Sequence, residues 1–487
     1  ILAGVALAFI TGCKMENPLL SESKAPFGAP EFDKIKTEHY LPAFETGINE
    51  AKAEIDAIVA NPDEPSFENT IEAMEYAGQT LNKVAGIFYN LMEAHTSDEM
   101  QAIAEQVSPM LTEYSMYVSL NAPLFERVKK VYEKKDELGL DKDQMTLLED
   151  NYKSFVRGGA NLSDEDKELY SKWSEELSLA TLQFSKNVLA ATNAYTPNIT
   201  AEADLAGHPE YVTTMAAETA ADTGLEGWAF TLDAPSYSPF LQYSENRELR
   251  KQIWTAYNTR ALGGEFDNTE VVRKIVDLRI KIANILGYET YADYALEERM
   301  AKDKKTAVDF IMNLLKPSLE FAKKDVAEVF AYAKKNGFEG KRLESWDFSY
   351  WSERYKEAEY SLSAEELKPY FQLESCIDAV FGLASRLYGI SFEERSDLPV
   401  YHDDVKVYEV KDNDGSHLAL FYADFFPRAS KRGGAWMTSF RDQSIKDGVE
   451  KRPHITIVCN FTKPTADAPA LITHDELTTF LHEFVHA

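Results

Sequence analysis

"DVKVYEVKDNDGSHLALFYADFF", residues 404–426, interrupts a chain whose earlier part is patterned for helices. Two runs rich in Val, Tyr, Leu and Phe flank Asp412-Asn413-Asp414-Gly415. Such runs around an Asp-Gly turn predict a β-hairpin. "GAWMTSF" (434–440) and "PHITIVCNF" (453–461) have the same character and predict further strands. A small sheet therefore precedes the closing stretch "HDELTTFLHEFVHA", residues 474–487.

Upstream the period changes to that of a helix. In "HYLPAFETGINEAKAEIDAIVA" (39–60), Phe44, Ile48, Ala51, Ile55 and Ile58 form one apolar stripe. "SFENTIEAMEYAGQTLNKVAGIFYNLMEA" (66–94) reads likewise, with Ser66 or Asn69 as its cap. Residues 164–194 continue as helix, with Leu169, Trp173, Leu177, Ala180, Phe184 and Val188 repeating. A Gly- and Pro-punctuated break runs from about Pro197 to Pro239 and contains "WAFTLD" (228–233), read as a short strand. Helices resume at Asn246 and run to about Lys335. Among them "TEVVRKIVDLRIKIANILG" (269–287) ends at Gly287 as a C-cap. The fold class is mainly α with a small β-element before the last helix. The helical stripes are expected to be core rather than a cofactor site.

Composition bounds the function. The 487 residues carry a formal net charge of −30, with 44% apolar and 12% aromatic residues. That is globular material, long enough for more than one domain. A chain this acidic, with no Lys/Arg-rich tract, repels phosphate backbones, so nucleic acid is not an expected partner. The three cysteines, Cys13, Cys376 and Cys459, form no Cys-x-x-Cys pair, and whether Cys376 and Cys459 are joined stays open.

The chain opens on "ILAGVALAFITGC", an uncharged apolar run with the length of a signal-peptide core. It is too short for a mature membrane span, which needs about twenty residues. Ile10-Thr11-Gly12-Cys13 resembles the lipobox of bacterial lipoproteins. That resemblance implies cleavage before Cys13, lipid attachment to it, and a protein anchored in the cell envelope facing the periplasm. A cytoplasmic protein is the alternative. No Met or basic leader precedes Ile1, and the C-terminus stops inside a motif, so both ends read as interrupted. The expected regions are 1–13 signal remnant and lipobox, 14–30 linker, 31–240 N-terminal helical region, and 241–487 the start of a catalytic region.

That final motif is His482-Glu483-Phe484-Val485-His486, an H-E-x-x-H pattern. Residues four apart lie on one helix face, so His482 and His486 can point at one Zn²⁺ with Zn–N distances of about 2.0–2.1 Å. Glu483 then stands where a carboxylate takes a proton from the attacking water and returns one to the leaving amine. Thr473-His474-Asp475-Glu476 has the form of a capping box, and Leu477, Phe480, Leu481 and Phe484 would anchor the helix in the core. His474 belongs to the helix start and His454 to a strand. His39, His95, His208, His402 and His417 lack ligand spacing.

These residues carry a resemblance. Phe480-Leu481-His482-Glu483-Phe484-Val485-His486 is similar to the metal motif of the thimet-oligopeptidase family of zinc peptidases. Tyr422, Asp424, Phe426, Arg428 and the run 431–436, "KRGGAW", resemble that family's strand and turn. "ENRELRKQIWTAYNTRA" and "ILGYETYADYALEERMA" resemble its helical body. Within the family, the opening and the lipobox look most like the bacterial peptidyl-dipeptidase (dipeptidyl carboxypeptidase) branch. The resemblance implies a two-lobed helical body with a deep channel, one Zn²⁺, and release of dipeptides from the C-terminus of short peptides. It also implies a third zinc ligand on a later helix, which would lie beyond Ala487, so the chain alone is expected to lack tight zinc and activity. One departure is Val485, where the family has Gly. The alternatives are an oligoendopeptidase of the same family and a non-catalytic, lipid-anchored peptide-binding protein. The sequence leaves the oligomeric state open, with a monomer as the expectation.

Overall fold

The computed structural model describes residues 17–487 apart from positions 447 and 467, so the apolar opening and Cys13 lie outside the described residues. The chain is mainly helical around one five-stranded sheet. Its strands are β1 (Ser391–Glu394), β2 (Val405–Lys411), β3 (His417–Asp424), β4 (Trp436–Arg441) and β5 (His454–Val458). Their spatial order is β1-β2-β3-β5-β4. The β3–β5 pair is parallel and the other pairs are antiparallel. The expected hairpin is β2–β3. Its turn is closed by Gly415 N donating to Asp412 O at 2.9 Å, and Gly415 takes φ +83°, which an L side chain would resist.

Alternation along the strands divides the sheet's two faces. Val405, Val407, Leu420, Tyr422 and Phe440 pack into one core with helices Thr37–Ala60, Gln79–Ala94 and Asp98–Ser119. Tyr408, Val410, Phe421, Ala423 and Ile457 pack into another with helix Leu373–Tyr388 and the terminal helix His474–His486. Burial on both faces explains why β3 reads as a nearly unbroken apolar run. Cys376 and Cys459 are buried free thiols in the second core.

The chain is held to the body from Asn17 onward. Asn17 Nδ2 donates to His39 O at 2.8 Å, and Lys83 Nζ donates to Ser21 O at 2.6 Å. Leu19, Ala29 and Phe32 are buried in the first core. The Phe27 ring stacks on His417 at 4.0 Å.

Several sequence expectations need correction. Helices resume well before Asn246: Glu210–Asp222 and Ala234–Tyr243 both form inside the expected break, the second with Pro235 in its first turn, where a missing N–H costs nothing. "WAFTLD" contributes only the two-residue strand Trp228–Ala229. The helix Asp164–Asn193 forms, but of its six stripe residues only Ala180 is buried, and Leu169 and Phe184 are each 37% exposed. It packs against other helices rather than the sheet, so its stripe is only partly covered. Helix Lys304–Lys335 buries only Val329 and Ala333, near its C-terminal end. Its helical spacing is real, yet most of its apolar residues are not core.

The end of β3 carries a buried ionic hub. Asp424 is fully buried, and its carboxylate accepts from Arg428 Nη1 at 2.9 Å, Lys431 Nζ at 2.9 Å and Tyr401 OH at 2.8 Å. Burial alone would raise the Asp424 pKa, but Arg428 and Lys431 hold it below the usual carboxylate range. Lys431 Nζ also donates to Cys459 O at 2.6 Å, just past β5. Arg428 Nη2 donates to Ala94 O at 2.6 Å, and Arg432 N to Glu93 O at 2.9 Å. Both close the C-terminal end of helix Gln79–Ala94, where cations are favoured. Asp424→Ala would leave two buried cations without their carboxylate. It should lower the unfolding free energy by about 3–5 kcal/mol in a urea melt. A loss under about 1 kcal/mol would show that the hub is not structurally important.

Candidate metal centre

The terminal helix starts where its sequence says it should. Thr473 Oγ1 accepts from Glu476 N at 3.1 Å, and the Glu476 carboxylate accepts from Thr473 N at 2.7 Å, the reciprocal capping box. Phe480 is fully buried, with its ring 5.1 Å from that of Phe425. Phe484 lies 5.7 Å from Phe421 and 6.0 Å from Phe381. Leu477 and Leu481 complete the stripe against the second core. These contacts fix the rotation of the helix and hence the direction of each motif side chain.

With the apolar stripe inward, His482 and His486 face out and are exposed. Their Nε2 atoms lie 3.1 Å apart, with ring planes at 80°. Two nitrogens on one tetrahedral zinc would stand about 3.4 Å apart, at Zn–N distances of about 2.0–2.1 Å. The pair therefore fits two positions of one metal's coordination shell. Among the described residues no group of three or more His, Cys, Asp or Glu side chains is placed to hold a metal ion.

Glu483 takes the opposite environment and is 7% exposed. It lies near the Cys459 thiol at the end of β5. Burial is the main cause that raises the Cys459 pKa, Lys431 opposes it, and the Glu483 charge adds to the rise. The position that departs from the family pattern, Val485, is 82% exposed among the described residues.

The other histidines do not join the motif. His454 is buried in β5, where burial and then Arg441 push its pKa down to about 3, so it stays neutral. His474 is exposed in the first turn of the helix. His95 bonds Ser430 Oγ at 3.1 Å beside the ionic hub, and His417 lies 3.3 Å from Glu409. Sequence reading did not find the Asp424–Lys431–Cys459 connection that runs from the sheet to the floor below Glu483. Its only local signal is charge at 424, 428 and 431 inside an otherwise apolar stretch.

Comparison with known proteins identifies the chain's relatives. Residues 240–487 match the model of peptidase family M3, and residues 44–167 match the neurolysin/thimet oligopeptidase N-terminal domain. The chain is 38% identical to the dipeptidyl carboxypeptidase of Escherichia coli over 96% of its own length and 69% of that protein. It is 38% identical to the dipeptidyl carboxypeptidase of Salmonella typhimurium, over 96% of this chain and 69% of the relative. It is 35% identical to oligopeptidase A of Escherichia coli, over 97% of this chain and 70% of the relative. A helical body, a capped H-E-x-x-H helix on a small sheet, and matches over nearly the whole chain together place it: the chain belongs to peptidase family M3, a family of metallopeptidases.

Proposed function

We propose that this protein is a zinc-dependent peptidyl-dipeptidase that removes dipeptides from the C-terminus of short peptides. The observation that carries the reading is the convergence of the His482 and His486 Nε2 atoms at 3.1 Å, with Glu483 on the adjoining, buried flank. Dipeptide release rather than internal cleavage is supported by the two relatives at 38% identity, which are both dipeptidyl carboxypeptidases. Oligopeptidase A, at 35%, keeps an oligoendopeptidase as the second reading.

In this reading His482 and His486 would hold the metal. Zinc, when bound, supplies Lewis acidity toward the scissile carbonyl. Glu483 removes a proton from the attacking water and delivers it to the departing amine. Its burial keeps that carboxylate poorly hydrated, which strengthens its hydrogen bonds to a reacting group. The net charge of −30 argues against nucleic acid as a partner. Attachment to the cell envelope through lipid on Cys13, with the body facing the periplasm as a monomer, is the localisation we favour. It rests on the sequence Ile10-Thr11-Gly12-Cys13.

In the native gene product, Glu483→Gln should lower peptide turnover by about 10²–10⁴-fold while zinc content, by elemental analysis, stays at the wild-type level. Retained turnover would remove Glu483 as the base. A peptide and its C-terminally amidated twin separate the two peptidase readings: the dipeptidase cleaves the free acid and rejects the amide, whereas equal rates on both point to the oligoendopeptidase. Cys13→Ser should move the protein from the membrane to the soluble fraction, and unchanged fractionation would count against the anchor.

A further inference from the structure

The Glu476 carboxylate makes more bonds than a helix cap requires. The capping box needs only its contact with Thr473 N. Yet Glu476 Oε1 also accepts from Thr462 N at 2.7 Å and from Thr462 Oγ1 at 3.0 Å. Thr462 is buried, 6% exposed, and lies outside the helix, on the extension of β5. That extension is itself fixed: Cys459 N donates to Asp424 O at 2.7 Å, and Phe461 N to Phe425 O at 2.8 Å. Glu476 therefore ties the first turn of the motif helix to a rigid part of the sheet.

The position of Glu476 matters as much as its bonds. At about 100° per residue, Glu476 and Glu483 are seven residues apart and differ by only about 20° around the axis. Both occupy the same flank of the helix, between the apolar stripe and the two outward histidines. The stripe alone leaves some freedom, because apolar packing is not directional. Hydrogen bonds to a carboxylate are directional and short, so they resist rotation and sliding of the helix. A shift at residue 476 would be carried along the rigid helix to residues 482–486.

We propose that Glu476 is a positioning residue: through Thr462 it sets the rotation and axial position of the helix that presents His482, Glu483 and His486. The inference rests on the metallopeptidase reading given above. A half-buried carboxylate that accepts two hydrogen bonds from Thr462, outside its own helix, does more than a cap requires, which supports a second role. Burial raises the Glu476 pKa, opposed by the hydrogen bonds from Thr473 and Thr462.

The test uses the native gene product and four variants: Glu476→Ala, Glu476→Gln, Thr462→Ala and His482→Ala. Cobalt(II) titration followed by visible absorption, peptide kcat and KM, and thermal melting are measured for each. Glu476→Ala should weaken cobalt binding by about 10–100-fold and lower kcat by a similar factor, with KM little changed. Glu476→Gln, which keeps one acceptor oxygen, should recover part of both losses. Thr462→Ala leaves the capping box intact and should shift cobalt affinity in the same direction by less, so the idea remains testable if Glu476→Ala fails to fold. A Glu476→Ala protein that melts earlier but binds cobalt and turns over like wild type would overturn the proposal and leave a cap only. His482→Ala separates this from the parent reading. If it leaves cobalt binding unchanged, the metal assignment itself is wrong. If it abolishes binding while the Glu476 variants do not change it, only the positioning role falls.

Discussion

A fully buried carboxylate, Asp424, joins three parts of the chain that are far apart in sequence. It ends β3, and through Arg428 it reaches the carbonyl of Ala94 at the end of an N-terminal helix. Through Lys431 it reaches the carbonyl of Cys459 beyond β5. Burying one anion with two cations carries a large desolvation cost, which only good geometry and saturated hydrogen bonding offset. Here that geometry is present, because Lys431 Nζ also lies 2.7 Å from Phe426 O and Tyr401 OH bonds the second carboxylate oxygen. The hub contributes less to net stability than to register. It fixes which end of the sheet meets the N-terminal helices, a choice that apolar burial alone would leave degenerate.

That register has consequences on the far side of the sheet. The extension of β5 that Lys431 holds from one side is the stretch that carries Cys459 and, two and three residues on, Phe461 and Thr462. The motif helix rests on this stretch. Phe480 sits 5.1 Å from Phe425, and Phe425 stacks at 5.8 Å on Phe461. The motif helix thus packs on residues whose backbone is tied to Asp424. N-terminal helices that share no residue with the motif still determine how firmly its support is held.

Much of this was legible in the sequence because local chemistry decided it. The Asp-Gly turn, the Thr473–Glu476 box and the Phe480/Phe484 stripe each act within a few residues, and each is found where the pattern puts it. The illegible parts are tertiary. Periodicity shows that a helix such as Lys304–Lys335 has an apolar face but not what covers it, and Phe310 and Phe321 are 64% and 69% exposed. "WAFTLD" has strand-forming composition, yet only two residues find a partner. Asp424, Arg428 and Lys431 carry part of the family resemblance in the sequence, but that they meet in one buried ion cluster is visible only in the fold.

The motif itself shows how one rotation can satisfy opposed requirements. Relative to His482, the apolar residues Leu477, Phe480, Leu481 and Phe484 centre on the opposite side of the helix, at about 100° per residue. His486 falls about 40° from His482, and Glu483 about 100° away, at the border of the buried side. Turning the helix to bury the histidines would expose Phe480, at a cost of about 1.5–3 kcal/mol for one large apolar side chain. Turning it so that Glu483 goes deeper would carry the two histidines toward the buried side with it. Apolar packing therefore selects the orientation in which the ligands are accessible and the carboxylate is shielded beside them. Val485 falls on the remaining flank, apart from the apolar stripe, the two histidines and Glu483.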